Sequence, residues 1–231
     1  MKIALFDIDG TILLAHGAGR RSMERALTEI AGSPGPGGLH YAGKTDGQIV
    51  REAMRGSGFT DAEVDERRDA VLARYVEFLD DELADPEHGA IEVLPGVPEI
   101  LAACAAHEGV VLGLLTGNLV LGAEKKLRAV GVDPGQFVVG AFGSDHEDRP
   151  ALAAIARERA SGFLGRDVDA AHCVVIGDTP ADVGCAHAIG ARAIAVATGN
   201  FAIDDLRRCD PHVAFADLAD TAAVMHAILH G

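Results

Sequence analysis

The chain has 231 residues, of which 48% are hydrophobic and 24% charged, and a formal net charge of −15. This composition describes a globular protein, one large domain or a core plus a smaller module, and excludes a disordered chain, a low-complexity tract or a heptad coiled coil. The acidity argues against nucleic acid or an anionic membrane surface as a partner, because either needs a basic face that releases counterions.

The first element is the apolar run Ile3-Ala4-Leu5-Phe6, which has the length of a buried parallel strand and ends in Asp7-Ile8-Asp9-Gly10-Thr11. Two carboxylates at i and i+2 after a buried strand repel each other unless a cation or a shared proton offsets them, which points to a metal or phosphoryl site. In an extended chain Ile8 points away while Asp7 and Asp9 lean to the same side, unless the turn that begins here rotates them apart. A glycine-rich link with Gly17 and Gly19, a candidate hinge, leads to a helix from about Ser22 on which Met23, Ala26, Leu27 and Ile30 share a face. Residues 32–38 read as a loop, and Thr45-Asp46-Gly47-Gln48 has the form of a capping box opening a helix through Met54. A further helix from near Thr60 carries the stripe Val64, Val71, Leu72, Tyr75, Leu79 and Leu83. Residues 38–45, GLHYAGKT, also match the G-x-x-x-x-G-K-[ST] phosphate loop. That loop needs a buried strand before it, whereas Ser33-Pro34-Gly35-Pro36-Gly37 stands there, so no nucleotide site is expected.

From Leu94 onward short apolar runs alternate with amphipathic helices, the pattern of a parallel sheet covered on both faces. Strands are expected at 110–115, 137–139, 173–176, 193–197 and near Val213, and helices at 98–107, 119–130, 150–161, 180–189 and from Thr221. The fold class expected is α/β: a Rossmann-like parallel sheet core of three α/β/α layers, residues 1–14 and 91–231, with an inserted all-helical segment, residues 15–90. Cys104, Cys173, Cys185 and Cys209 form no CxxC pair and read as reduced thiols. No apolar run is long enough to span a bilayer, and Asp7 and Asp9 interrupt the stretch a signal peptide would need, so a cytoplasmic protein is expected.

Ligands of open α/β sheets bind outside the carboxyl ends of the strands. Here those ends deliver Asp7 and Asp9, then Thr116-Gly117-Asn118, then Gly143-Ser144-Asp145 followed by Arg149-Pro150, and finally Gly177-Asp178-Thr179-Pro180-Ala181-Asp182. Carboxylates, a hydroxyl, an amide and a cation thus converge on one rim.

The stretches DIDGT, LLTGN and IGDTPAD, in this order and strand context, resemble the signature motifs of the haloacid dehalogenase-like (HAD) hydrolase superfamily. The helical segment resembles the mobile cap of its phosphoglycolate phosphatase-like members, so the resemblance spans the whole chain. It implies a Mg²⁺-dependent phosphatase acting on a small phosphorylated metabolite. Asp7 would be the nucleophile that forms an aspartyl-phosphate, and Asp9 the general acid, held off the metal with a raised pKa. Asp7, Asp178 and the backbone carbonyl of Asp9, with Asp182 either as a further ligand or as a partner behind the ligands, would make an all-oxygen magnesium site, while Thr116 and a backbone N–H of Gly117 or Asn118 would bind phosphoryl oxygens. An acid at Asp9 argues against carbon–halogen cleavage, since a halide leaves without a proton. The family's phosphate-binding cation is usually a Lys; Arg149 stands in that place, and a guanidinium can fork onto phosphoryl oxygens. Lys125 and Lys126 compete for the role, although both are expected on a solvated helix face. The resemblance also turns Lys44 toward the active site, where it would meet an anionic group of the substrate, with His40 and Arg20 as lesser candidates. The near alternative is a phosphosugar mutase like β-phosphoglucomutase, which shares Asp7, Asp9 and the metal; the alternative of another class is a non-catalytic phosphate-binding scaffold.

Overall fold

A computed structural model describes residues 1–230. In chain order its elements are β1 (Lys2–Phe6), β2 (Leu13–Leu14), α1 (Ala18–Ala31), α2 (Asp46–Gly56), α3 (Asp61–Ala84), β3 (Glu92–Val93), α4 (Val97–Ala106), β4 (Val110–Leu115) and α5 (Val120–Ala129). They continue as β5 (Val139–Ala141), α6 (Arg149–Leu164), β6 (Cys173–Gly177), α7 (Pro180–Ile189), β7 (Arg192–Val196), α8 (Ile203–Arg207), β8 (Val213–Phe215) and α9 (Thr221–His230).

The main sheet runs β5-β4-β1-β6-β7-β8, and every neighbouring pair is parallel. Alternation along β1 supplies two cores: Ala4 and Phe6 face a cluster shared with α4, α5 and α9, whereas Ile3 and Leu5 face one shared with α6, α7 and α8. Burial on both faces is why these strands read as unbroken apolar runs, and the result is the three-layer Rossmann-like arrangement expected. From β1 the chain builds outward to β4 and β5 on one side and to β6, β7 and β8 on the other. The crevice where the direction reverses therefore opens at the carboxyl end of β1. Phe6 lies beside both Leu114 and Ile176, so the segments that follow these three strands start level with one another.

Helices α1, α2 and α3 bury an apolar cluster of their own, built on Met23, Leu27, Ile49, Met54, Val71, Tyr75 and Leu79. The chain leaves the sheet layer and returns to it through a short antiparallel ribbon, with Leu13 opposite Val93. Helix α1 begins at Ala18, earlier than the expected Ser22, because Gly17 at φ 82° turns the chain into it; Gly19 sits inside the first turn rather than in a hinge. The Thr45 hydroxyl accepts from the Gln48 N–H at 3.1 Å, but the Gln48 amide turns to Glu52, so only half of the expected capping box forms. Strand β5 lies at Val139–Ala141 rather than 137–139, since a tight turn at Pro134–Gln136 delays the extended segment. Residues 38–45 are irregular with no strand before them, which removes the phosphate-loop match. All four cysteines are free thiols. No helix among the described residues is long and apolar enough to cross a membrane.

Candidate active site

The carboxyl end of β1 turns sharply at Gly10, whose φ of 82° is in the left-handed region and whose missing Cβ would lie 2.4 Å from Asp178 Oδ2. A second glycine, Gly199 after β7, presses on the same carboxylate, where a Cβ would come within 1.8 Å of Oδ2. Asp178 is thus gripped between two backbones, and the Thr11 hydroxyl donates to its Oδ1 at 3.2 Å. Asp182 is placed by the N-terminus of α7: it and Thr179 form a full capping box, which buries the carboxylate at the helix start.

Asp7, Asp178 and Asp182 are all buried, and one oxygen of each lies within 4.8 Å of the others. Arg149, the first residue of α6, brings the one guanidinium: it donates to Asp7 Oδ2 at 2.7 Å and to Asp182 Oδ1, while its Nε is occluded without a partner. Burial, then the mutual repulsion of the carboxylates, pushes the Asp178 carboxyl above its ordinary range; burial and Asp7 do the same to Asp182 against the pull of Arg149. Three carboxylates sharing one cation, with only oxygen donors, fit a hard divalent ion. A second acidic group, Glu82, Asp85 and His88, lies away from the sheet, and Arg21 and Arg25 already engage Glu82.

Asp9 takes a different position. Its carboxylate accepts from Lys126 Nζ at 2.8 and 2.7 Å and from Asn118 Nδ2 at 2.8 Å, and it stands outside the three-carboxylate cluster. Lys126 also donates to Asn118 Oδ1 at 2.7 Å, and Asn118 Nδ2 to Thr116 Oγ1 at 2.8 Å. Burial would raise the Asp9 pKa, but Lys126 and Asn118 outweigh it and hold the carboxyl below its usual range. The shift is opposite to the raised value implied by the family resemblance, and the ammonium is the cause.

Lys126 also corrects the expectation of a solvated helix face. It is 4% exposed, whereas Lys125 pairs at the surface with Asp80 of α3. The signal was in the spacing: Gly122, Ala123 and Leu127 are buried on α5, and Lys126, four residues after Gly122, falls on the same side. A further buried acid, Asp46 at the start of α2, was hidden in a capping motif. Its carboxylate accepts from the Leu119 N–H at 2.8 Å, its own N–H donates to the Gly117 carbonyl at 2.8 Å, and burial pushes its pKa up to about 6. That docking needs Gly117, where a Cβ would stand 2.1 Å from the Lys44 carbonyl oxygen.

Asp7, Asp9, Asp46, Lys126, Arg149 and Asp178 line one cavity of about 470 Å³ between the sheet and the three-helix segment, together with Lys44, Arg20, Thr116, Gly117 and Asn118, whereas Asp182 lies behind its wall. Lys44 is paired with Glu52. Arg20 stacks over the Tyr41 ring at 4.1 Å. His40 is exposed.

The chain matches the family model of haloacid dehalogenase-like hydrolases over residues 4–187. It is 30% identical over 203 residues to a phosphoglycolate phosphatase of Rhodospirillum rubrum, covering 86% of this chain and 80% of that one. Among solved structures it resembles a hydrolase from Pseudomonas syringae, with TM-score 0.70, 22% identity and 99% coverage of both chains. It also resembles CbbY from Rhodobacter sphaeroides in complex with phosphate, with TM-score 0.66, 18% identity and coverage of 95% of this chain and 96% of that one. At those identities the two structures speak for the fold; the family model and the curated relative carry the assignment. The chain belongs to the haloacid dehalogenase-like hydrolases, as a phosphoglycolate phosphatase-like member of that family.

Proposed function

We propose that this HAD-family phosphatase hydrolyses a small phosphorylated metabolite with Mg²⁺, through an aspartyl-phosphate on Asp7. The observation that carries the reading is the division between two neighbouring acids: Asp7 lies in a buried oxygen cluster with Asp178, Asp182 and Arg149, and Asp9 is held apart from it. Asp7, Asp178 and Asp182, with the Asp9 carbonyl, would hold the magnesium ion. Bound there, it would neutralise the carboxylates and polarise the phosphoryl group. Arg149, Thr116 and the N–H groups of Gly117 and Asn118 then orient the phosphoryl oxygens, and Asp7 attacks phosphorus. Asp9 serves the leaving oxygen and later the hydrolytic water. The carboxylate that Lys126 holds is matched to the second task; the first requires Asp9 to take up a proton. Residues 15–90 act as a cap over residues 1–14 and 91–231, and Lys44 reaches the substrate from the cap side. A phosphosugar mutase would use the same acids but return the phosphoryl group to a sugar phosphate. Incubation with a hexose 1-phosphate and Mg²⁺ separates the two: the reading predicts free phosphate, and an isomerised sugar phosphate without phosphate release would contradict it.

A further inference from the structure

The cavity has a wall that the phosphoryl chemistry does not use. Tyr75 of α3 is 1% exposed, yet it lines the cavity. Its hydroxyl makes no hydrogen bond among the described residues. Among the described residues the fully occluded partnerless side-chain atoms are Arg149 Nε and Arg192 Nη1, so the Tyr75 oxygen, which lines the cavity, opens onto it. A hydroxyl so deeply placed is normally satisfied by water or ligand.

Two glycines keep the space beside it clear. A Cβ at Gly19 of α1 or at Gly122 of α5 would stand 3.7 Å from the Tyr75 oxygen, and the Gly19 position is also 3.3 Å from Lys126 Nζ. Since Lys126 holds Asp9, this space begins one contact beyond the acid that serves the leaving oxygen. The other donors nearby are engaged: Lys126 by Asp9 and Asn118, and the Asn118 amide by Asp9 and Thr116. Beside Tyr75 the Asp46 and Asp9 carboxylates stand against the Lys126 ammonium, and the other cations of the cap side of this cavity, Lys44 and Arg20, are already paired with Glu52 and Glu24, which leaves an excess of negative charge. Burial and these two carboxylates keep the phenol well above its ordinary range, so it remains an O–H donor.

We propose that Tyr75 and the space beside Gly19 form a leaving-group subsite that takes a neutral acceptor oxygen, a hydroxyl or carbonyl, from the substrate. The inference rests on the phosphatase reading and narrows its substrate class. A neutral oxygen accepts from the phenol without meeting the net negative charge, whereas a carboxylate would be repelled by Asp9 and Asp46.

The test compares glycerol 1-phosphate with propyl phosphate, which have the same carbon skeleton with and without hydroxyls, by phosphate release in Mg²⁺. The wild-type protein should favour glycerol 1-phosphate in kcat/KM by about tenfold, the worth of one good hydrogen bond, and Tyr75→Phe should bring the ratio close to one. Gly19→Ala keeps the tyrosine but puts a methyl group in the subsite, and should lower the ratio as well; it decides the matter if Tyr75→Phe does not fold. A wild-type ratio near one, or a ratio that neither variant lowers, overturns the subsite. Phosphoglycolate is the third arm: Tyr75→Phe should cost it less, relative to propyl phosphate, than it costs glycerol 1-phosphate. An equal or larger cost overturns the neutral-oxygen assignment. No phosphate from any of the three with wild-type protein removes the phosphatase reading, and the subsite with it.

Discussion

Asp7 and Asp9 are two residues apart, and the two corners they occupy are electrostatic opposites. At the Asp7 corner three buried carboxylates share the Arg149 guanidinium. At the Asp9 corner one carboxylate, 41% exposed toward the cavity, pairs with the Lys126 ammonium and accepts from the Asn118 amide. The first corner has negative charge to spare and can admit a divalent cation. In the second the carboxylate is already paired with an ammonium, which disfavours a divalent cation. The same side chain therefore serves two tasks according to its partners, and the turn at Gly10 allows the separation.

The sharpest way to break this contrast is to remove each corner's cation. Arg149→Ala leaves buried carboxylates uncompensated, and in chelator the protein should lose about 3–5 kcal/mol of stability by urea unfolding. Excess Mg²⁺ should recover part of that loss, because a divalent cation can take over the guanidinium's charge. Lys126→Met should cost less, roughly 1–3 kcal/mol, since Asp9 faces the cavity and can be solvated. Mg²⁺ should not restore it, and Lys125→Met, at an exposed pair, should cost no more than about 1 kcal/mol. Equal rescue of Arg149→Ala and Lys126→Met by Mg²⁺ would erase the distinction between the corners.

A smaller effect follows from pH. The Asp178 and Asp182 carboxyls lie above their unfolded range, so the folded protein binds their protons more tightly than the unfolded chain. Their contribution is present at low pH and is lost as pH rises above about 4 toward their folded values, by at most ~1.4 kcal/mol per pH unit for each proton. Melting temperatures of metal-free protein should therefore fall across this window relative to those in Mg²⁺. Parallel curves with and without the ion would contradict the charge excess at the Asp7 corner.

Much of the Asp7 corner was legible before any coordinates, because Asp7 and Asp178 each follow an apolar run that could only be a buried parallel strand, Asp182 sits one turn into the next helix, and Arg149 opens another. Sequence order and the carboxyl-end rule then bring them together. The Asp9 corner was not, since its partner is a lysine and the prior for lysine is solvent. The buried positions of α5 should have overruled that prior. The ribbon of β2 and β3 gave no signal, being two residues per strand joined across the whole helical segment. Tyr75 read correctly as one of an apolar stripe, but the opening of its hydroxyl onto the cavity depends on glycines in two other helices, which no local pattern connects.

The central claim is that Asp7 is the group that takes the phosphoryl unit. Its most direct test is phosphate release from p-nitrophenyl phosphate in saturating Mg²⁺ by Asp7→Asn, which keeps the shape and the hydrogen-bonding oxygen but removes the nucleophile. The account predicts a loss of about 10³-fold or more in kcat with the unfolding transition still cooperative. Turnover within a few fold of the wild-type protein would contradict it.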